Sequence, residues 1–260
     1  MINSSKIILK NGHELHLINF DGYDSSYKKL LDEYLAFICE GTNDKTKLKR
    51  VKEIVSRYLK GKIGDPTKIA GWLAELFCHI YLNQKNYKPA FLFLNLEEQN
   101  SMKKGFDGFY IKKNKYYIYE SKSTLPTEND KFHYDGLKVA CNDIKSKIGG
   151  KKLNKQGDPI DPWSNAIHHF KNSSISGSKP ILKQLDELKD KFFEDDFLNI
   201  EDCNIIPSST IYLEDKYVEI NKKELKEIIN KNISYFKAKE IVLLCINKKS
   251  FNYIQDYLNE

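Results

Sequence analysis

Apolar and polar positions along the chain follow two periods, and the switches between them mark out the elements. Ile7, Ile8 and Leu9 lie before Asn11-Gly12, and Leu15, Leu17 and Ile18 lie after it. That is the turn chemistry of a tight hairpin, predicted over Lys6 to Phe20. Leu30, Leu31, Tyr34, Leu35 and Ile38 then recur at helical spacing, which predicts a helix from Ser25 to Cys39 stopped by Gly41. A second, basic helix is predicted over Lys45 to Leu59, with Leu48, Val51, Ile54, Val55 and Tyr58 on one side. Lys47, Lys49, Arg50, Lys52 and Arg57 surround its other side, as a solvated face or a phosphate-binding stripe. Asp65-Pro66 supplies an N-cap and a first helical residue for a third helix reaching Asn83. This helix is apolar nearly all round, the pattern of a buried element. Glu75 is its one carboxylate.

Strand patterns follow. Pro89 to Leu96 reads as a strand, and Phe106 to Lys112 and Lys115 to Ser123 as a hairpin around Lys113-Asn114. Further on come a helix over Phe132 to Ile148, a Gly- and Lys-bearing loop from Gly149 to Asp161, and helices over Trp163 to Phe170 and Lys179 to Phe193. Asn204 to Leu213 reads as a strand interrupted near Pro207, which suits an edge or a bulge. A helix from Asn221 to Phe236, the apolar strand Ile241 to Ile246 and a last helix from Ser250 to Leu258 complete the chain. An uninterrupted apolar strand belongs in a sheet covered on both faces. The order predicts an α/β fold: a mixed sheet built on the meander from Pro89 to Ser123, flanked by helices. Residues 1–62 form an N-terminal hairpin and helical extension packed on the core, and residues 63–260 form the main domain with its motif core at 65–148.

Composition narrows the class only slightly. At 260 residues, 40% hydrophobic and 30% charged, the chain suits a globular protein. No apolar run approaches bilayer length and MINSSKIILK lacks a signal-peptide core, so a cytoplasmic protein with no membrane partner is expected. The five cysteines are scattered, with no Cys-x-x-Cys pair, which predicts reduced buried thiols and argues against a zinc cluster. The net charge of +6 is compatible with a polyanionic partner, yet it is almost all lysine; Arg50 and Arg57 are the only arginines. No Gly-x-x-x-x-Gly-Lys-Ser/Thr loop is present, so ATP hydrolysis by this chain is not expected.

The chemistry gathers in GFDGFYIKKNKYYIYESKS, Gly105 to Ser123. With a two-residue turn, Lys112 faces Lys115; counting back along both strands puts Asp107 opposite Glu120. Opposed side chains start roughly 4.5–5.5 Å apart at Cβ. Lys122, two residues on, returns to the same face. The residues admit two readings. One is an ordinary cross-strand patch in which Asp107 caps a turn and Glu120 pairs with Lys122. The other is a site where a hard divalent cation relieves the repulsion between the carboxylates and Lys122 orients or helps deprotonate a water. Glu75 likewise reads either as an acid reaching solvent or a lysine, or as a site residue. His133 and Asp135 lie near the site in sequence with no direction fixed, and adjacent His168-His169 point apart, a poor pair for one metal. Lys151, Lys152 and Lys155 form either a solvated loop or nucleic-acid contacts.

An Asp opening one strand, followed by Glu-x-Lys on the next, resembles the PD-(D/E)XK nuclease superfamily. GWLAELF, KKGFDGFY and YIYESKS together resemble the nuclease component (HamA) of Hachiman-type bacterial anti-phage systems, over Gly71 to Ser123, under a quarter of the chain. The pattern departs in one place, where Phe106 precedes Asp107 instead of Pro. The resemblance implies a PD-(D/E)XK nuclease-like sheet and a DNA endonuclease. Glu75, Asp107 and Glu120 would hold Mg²⁺, with Mn²⁺ as the alternative, and Lys122 would serve the nucleophilic water. It also implies a superfamily 2 helicase partner like HamB. The same motif residues leave open a self-contained restriction or repair endonuclease, and a catalytically inert binding subunit.

Overall fold

A computed structural model of the chain describes residues 3–22, 24–41, 44–61, 64–90, 92–93, 105–125, 132–172, 179–249 and 253–260. The predicted first hairpin forms from β1 (Asn3–Ile8) and β2 (Glu14–Phe20), with Gly12 in the left-handed conformation its turn requires. Three helices follow: α1 (Ser25–Glu40), α2 (Leu48–Lys60) and α3 (Pro66–Gln84). Their ends use the expected chemistry. Asp24 accepts from Tyr27 N at 2.8 Å, Gly41 closes α1 in the left-handed region, and Asp65 accepts from Lys68 N at 3.0 Å.

The meander is β3 (Lys88–Pro89), β4 (Gly108–Lys112) and β5 (Lys115–Thr124), paired antiparallel in that order. β3 covers two residues rather than the run to Leu96; positions 91 and 94–96 of that predicted strand lie outside the described residues. Next come α4 (His133–Ile148), α5 (Pro162–Asn172), α6 (Lys179–Phe193), β6 (Asn204–Tyr212), α7 (Lys222–Lys231), β7 (Glu240–Lys248) and α8 (Tyr253–Asn259). α7 stops five residues before Phe236 and gives way to a 3₁₀ turn, Ile233–Tyr235. Positions 126–130 of the turn after β5, positions 250–252 of the last predicted helix and the His169 side chain lie outside the described residues.

All seven strands form one sheet in the order β1-β2-β7-β6-β5-β4-β3. Its centre, β2-β7-β6-β5, is parallel, and antiparallel strands close both edges. The N-terminal hairpin is therefore hydrogen-bonded into the sheet through β2 and β7. β6 corrects one expectation: Pro207 sits in a central strand, not at an edge. A proline cannot donate, and the β6–β7 ladder passes from Ile205–Ile241 to Ser208–Leu244 without a rung at Pro207, while the strand runs straight on.

The sheet has two covered faces. Leu73, Leu76 and Phe77 of α3 pack with Leu31, Leu35, Val51 and Val55 against Tyr119, Ile206, Leu244 and Ile246. On the other face Leu137, Cys141, Ile144 and Ile148 of α4 pack against Ile118, Ile205, Leu243 and Cys245. All five cysteines are free and buried. Among the described residues no helix is long and apolar enough to cross a membrane.

The start of α4 is pinned to the strand ends. His133 is 6% exposed; its Nε2 donates to Asn247 Oδ1 at 2.8 Å and its Nδ1 meets Ser209 Oγ at 3.1 Å. Asn247 passes the chain on to Val218 O at 2.8 Å. One turn along, Gly136 lies so close to β6 that a Cβ would stand 2.4 Å from Ser209 Oγ. His133 is thus a structural anchor. Burial pushes its imidazole down to about 4, against the pull of Asn247 and Ser209. A folded-state pKa below the ordinary histidine value means the fold prefers neutral His133. That stability is complete above about pH 6.5 and declines as pH falls toward about 4. At pH 5 the loss from this residue is about 2 kcal/mol. Urea unfolding of wild type and His133→Gln at pH 7 and pH 5 checks this: the variant starts weaker and loses less on acidification. Equal losses would assign the acid sensitivity elsewhere.

Candidate functional site

The β4–β5 hairpin turns through Lys113 and Asn114, both in the left-handed region, and this primed turn brings Lys112 opposite Lys115. The ladder runs back to Gly108 opposite Tyr119, and there β4 leaves β5. Asp107 precedes β4 and lies outside the ladder, near enough to Glu120 for its charge to act on that carboxyl. Beyond that last pair the β5 backbone needs another acceptor, and Asp107 supplies it: its Oδ2 accepts from Ser121 N at 2.8 Å. The register anticipated from the turn forms as far as Gly108 and Tyr119; Phe106 and Asp107, predicted to open the strand, lie just before it.

Strand alternation puts Glu120 and Lys122 on the α4 face of β5, with Ile118. Glu120 is 2% exposed and lies beside Pro207 in the ladder. Both its oxygens are engaged: Oε1 accepts from Lys122 Nζ at 3.2 Å and Oε2 from Lys147 Nζ at 2.6 Å. Lys122 also donates to Asp143 Oδ2, and Lys152 Nζ lies 3.8 Å from Asp143 Oδ1. Asp107, Glu120 and Asp143 therefore interleave with Lys122, Lys147 and Lys152.

Each charge feels this arrangement. Burial raises the Glu120 carboxyl above the usual range, Asp107 adds to the rise, and Lys147 and Lys122 oppose it. Burial alone would lower Lys122, but Glu120, the bond to Asp143 and Asp107 carry it up to about 12. Asp143, despite partial burial, is held low by Lys122 and its lysine neighbours.

Glu75 is placed differently. α3 covers the opposite face of the sheet: a Cβ on Gly71 would meet Ser123 Oγ at 3.7 Å, and Cys78 Sγ lies 3.2 Å from Ser208 Oγ. Half-buried between them in sequence, Glu75 exerts its charge on Cys78 and Tyr110. The structure brings together Asp107, Glu120 and Lys122 and sets Glu75 across the sheet. Among the described residues no group of three His, Cys, Asp or Glu could hold a metal ion. Lys151 and Lys155 are exposed on the loop after α4. That loop is folded: Asn154 Oδ1 accepts from Gln156 N and Asp158 N, each at 2.9 Å, and Ile160 N donates to Lys152 O at 2.7 Å.

The chain matches no protein-family model, no curated protein and no solved structure.

Asp143 and Lys147 escape the residue-by-residue reading. They could have been found from spacing. A helix returning antiparallel to β5 meets it with charges four residues apart, a rise of about 6 Å. Glu120 and Lys122, two apart on the strand, are separated by about 6.6 Å. An acid and a lysine at that helical spacing, in reversed order, match Glu-x-Lys.

Two carboxylates on one face suit one hard cation, since Mg²⁺ commonly takes one or two carboxylates and completes its shell with water and phosphate. Asp107 Oδ1 accepts no hydrogen bond among the described residues; Glu120 offers oxygens to a cation only when an ammonium steps aside. Without metal, the Asp107 charge works against Glu120. Asp107→Asn keeps an acceptor for Ser121 N and removes that repulsion, so a gain of about 1 kcal/mol is expected, or roughly 2–4 °C in Tm for a chain of this size. Thermal unfolding in EDTA reads it directly. A lower Tm would mean that attraction to Lys122 outweighs repulsion from Glu120.

Proposed function

We propose that this chain is a metal-dependent deoxyribonuclease of the PD-(D/E)XK type, acting in anti-phage defence with a helicase partner. The observation that carries the reading is the convergence of Asp107, Glu120 and Lys122 where β4 separates from β5. An acid just before one strand meets Glu-x-Lys on the next, Asp107 bonding the β5 backbone at Ser121 beside Glu120.

Asp107 and Glu120 would hold Mg²⁺ or Mn²⁺. When bound, the ion would polarise the scissile phosphate and favour a hydroxide-like nucleophile. Lys122, a positioned ammonium two residues from Glu120, donates toward the same ground and would orient water and offset phosphate charge. Lys151, Lys152 and Lys155 lie on the loop that follows α4 and would meet the DNA backbone. Glu75, given to the same ion by the resemblance, lies on the α3 side of the sheet and is left out of this ligand set.

A second reading has its own support. With lysines on both Glu120 oxygens the cluster is charge-balanced without an ion, as expected of an inert nuclease-like subunit that works by assembly. Cleavage separates the two. The purified chain, alone and with the product of a neighbouring helicase gene, is assayed on plasmid and linear DNA with Mg²⁺ or EDTA. Cleavage is expected with Mg²⁺ only, reduced at least about a thousandfold in Glu120→Gln. Lys122→Arg should lose far more turnover than DNA affinity. Full cleavage by Glu120→Gln, or undiminished cleavage in EDTA, would refute the mechanism.

The partner rests on the resemblance and on the absence of an ATP-binding loop from this sequence. A nuclease without its own gate needs restraint, and a helicase that binds its states unequally can provide it. Co-expression should give one peak on size exclusion, with cleavage depending on ATP. Separate elution at micromolar concentration, with the isolated chain protecting cells from phage, would favour a self-contained endonuclease.

A further inference from the structure

The α4 side of the site holds two residues that the nuclease reading does not require, Asp143 and Lys147. Lys147 Nζ sits 2.6 Å from Glu120 Oε2, on the lone pairs a cation would use, and only 13% of its side chain is exposed. Asp143 holds Lys122 from the other side, and Lys152 lies 3.8 Å from Asp143. The cluster is three carboxylates against three ammoniums, neutral as it stands. A divalent ion added to it leaves two excess positive charges in a largely buried place. That is unfavourable unless an ammonium leaves or anions arrive.

DNA supplies both remedies. Its phosphates bring negative charge to the loop carrying exposed Lys151 and Lys155, which begins two residues after Lys147. A phosphate at the mouth of the site also gives the Lys147 ammonium a new partner. Its long side chain, rooted in the last turn of α4 before Gly149, can change partner without moving the helix. Asp143 meanwhile keeps Lys122 in place while Glu120 changes ligand.

We propose that Lys147 is a placeholder for the metal. It neutralises Glu120 when DNA is absent, and DNA draws it off, so that ion binding and DNA binding are positively coupled. The inference rests on the nuclease reading for the ion and adds the order of assembly: the ion binds firmly only with DNA in place. Lys147 is a positioning residue here, acting through Glu120. Coupling of this kind is reciprocal, so the ion must also tighten DNA.

The test is Mn²⁺ binding, read as free Mn²⁺ by electron paramagnetic resonance, on the full chain with and without a short duplex. Wild type should bind Mn²⁺ about tenfold more tightly with DNA than without, within the usual range of coupled sites. Lys147→Met should bind Mn²⁺ about tenfold more tightly than wild type in the absence of DNA, and gain little when DNA is added. Glu120→Gln should abolish binding in both arms, locating the ion. The wild-type comparison needs no substitution, so the proposal stays exposed even if Lys147→Met folds poorly. Equal wild-type affinity with and without DNA, or a Lys147→Met that binds no tighter, overturns the placeholder and leaves the nuclease reading standing. Absence of Mn²⁺ binding in every arm overturns the nuclease reading, and the placeholder with it.

Discussion

Burying Glu120 is the act on which the site depends. A carboxylate 2% exposed, beside a second carboxylate, is costly unless cations meet it from more than one side. β5 can provide only Lys122. The second ammonium comes from α4, which runs back along β5 so that Lys147 reaches Glu120 and Asp143 reaches Lys122. The match works because a two-residue strand step and a four-residue helix step cover nearly the same distance. It also needs α4 held close and at one rotation. His133 bonded to Ser209 and Asn247 sets the start of the helix, and Gly136 lets it approach β6 without a side chain in between. The charge cluster at one end of α4 thus relies on a buried histidine at the other.

The N-terminal hairpin belongs to the same construction. β2 pairs with β7 from Val242 to Lys248 and β6 lies on its other side, so the apolar run of β7 is enclosed between two strands. α1 and α2 share one hydrophobic cluster with α3. Removing the first 62 residues would expose a long apolar strand edge, a template for aggregation, and strip the α3 face of its cover. The stretch that reads as an extension in sequence is a structural part of the sheet.

Much of this was legible from residue patterns, and the misses have physical reasons. The nearness of Asp107 to Glu120 was readable because a two-residue turn of Lys113 and Asn114 fixes the pairing as far as Gly108 and Tyr119. The helix start at Asp65 was readable because capping is local. Pro207 misled, since proline depletion from central strands is a tendency about hydrogen bonds, and a ladder can omit the pairs at 206 and 207 where those on either side hold. Glu75 was ambiguous because a helix apolar on nearly all sides does not reveal which face meets which strand. Asp143 and Lys147 could not be assigned singly. Their meaning lies in the rotation of α4 about its axis, set by contacts from Ser209 and Asn247 more than sixty residues away in sequence.

What the fold needs at each site position argues for function more strongly than motif spacing does. At position 107 the fold needs an acceptor for Ser121 N, and an asparagine would serve; the negative charge is surplus. At position 120 the neighbours on the same face are Ile118 and Pro207, so an apolar side chain would pack there with no counter-ions at all. Buried ion pairs are often matched or exceeded in stability by apolar replacements of similar size. A folding rationale therefore accounts for Lys147 only because Glu120 is present, and for Glu120 not at all. Locally disfavoured residues supported by a surrounding network are characteristic of sites kept for chemistry. The charges at 107 and 120 thus exceed what folding requires at these two positions, and the lysines around Glu120 are the means by which the fold tolerates that excess.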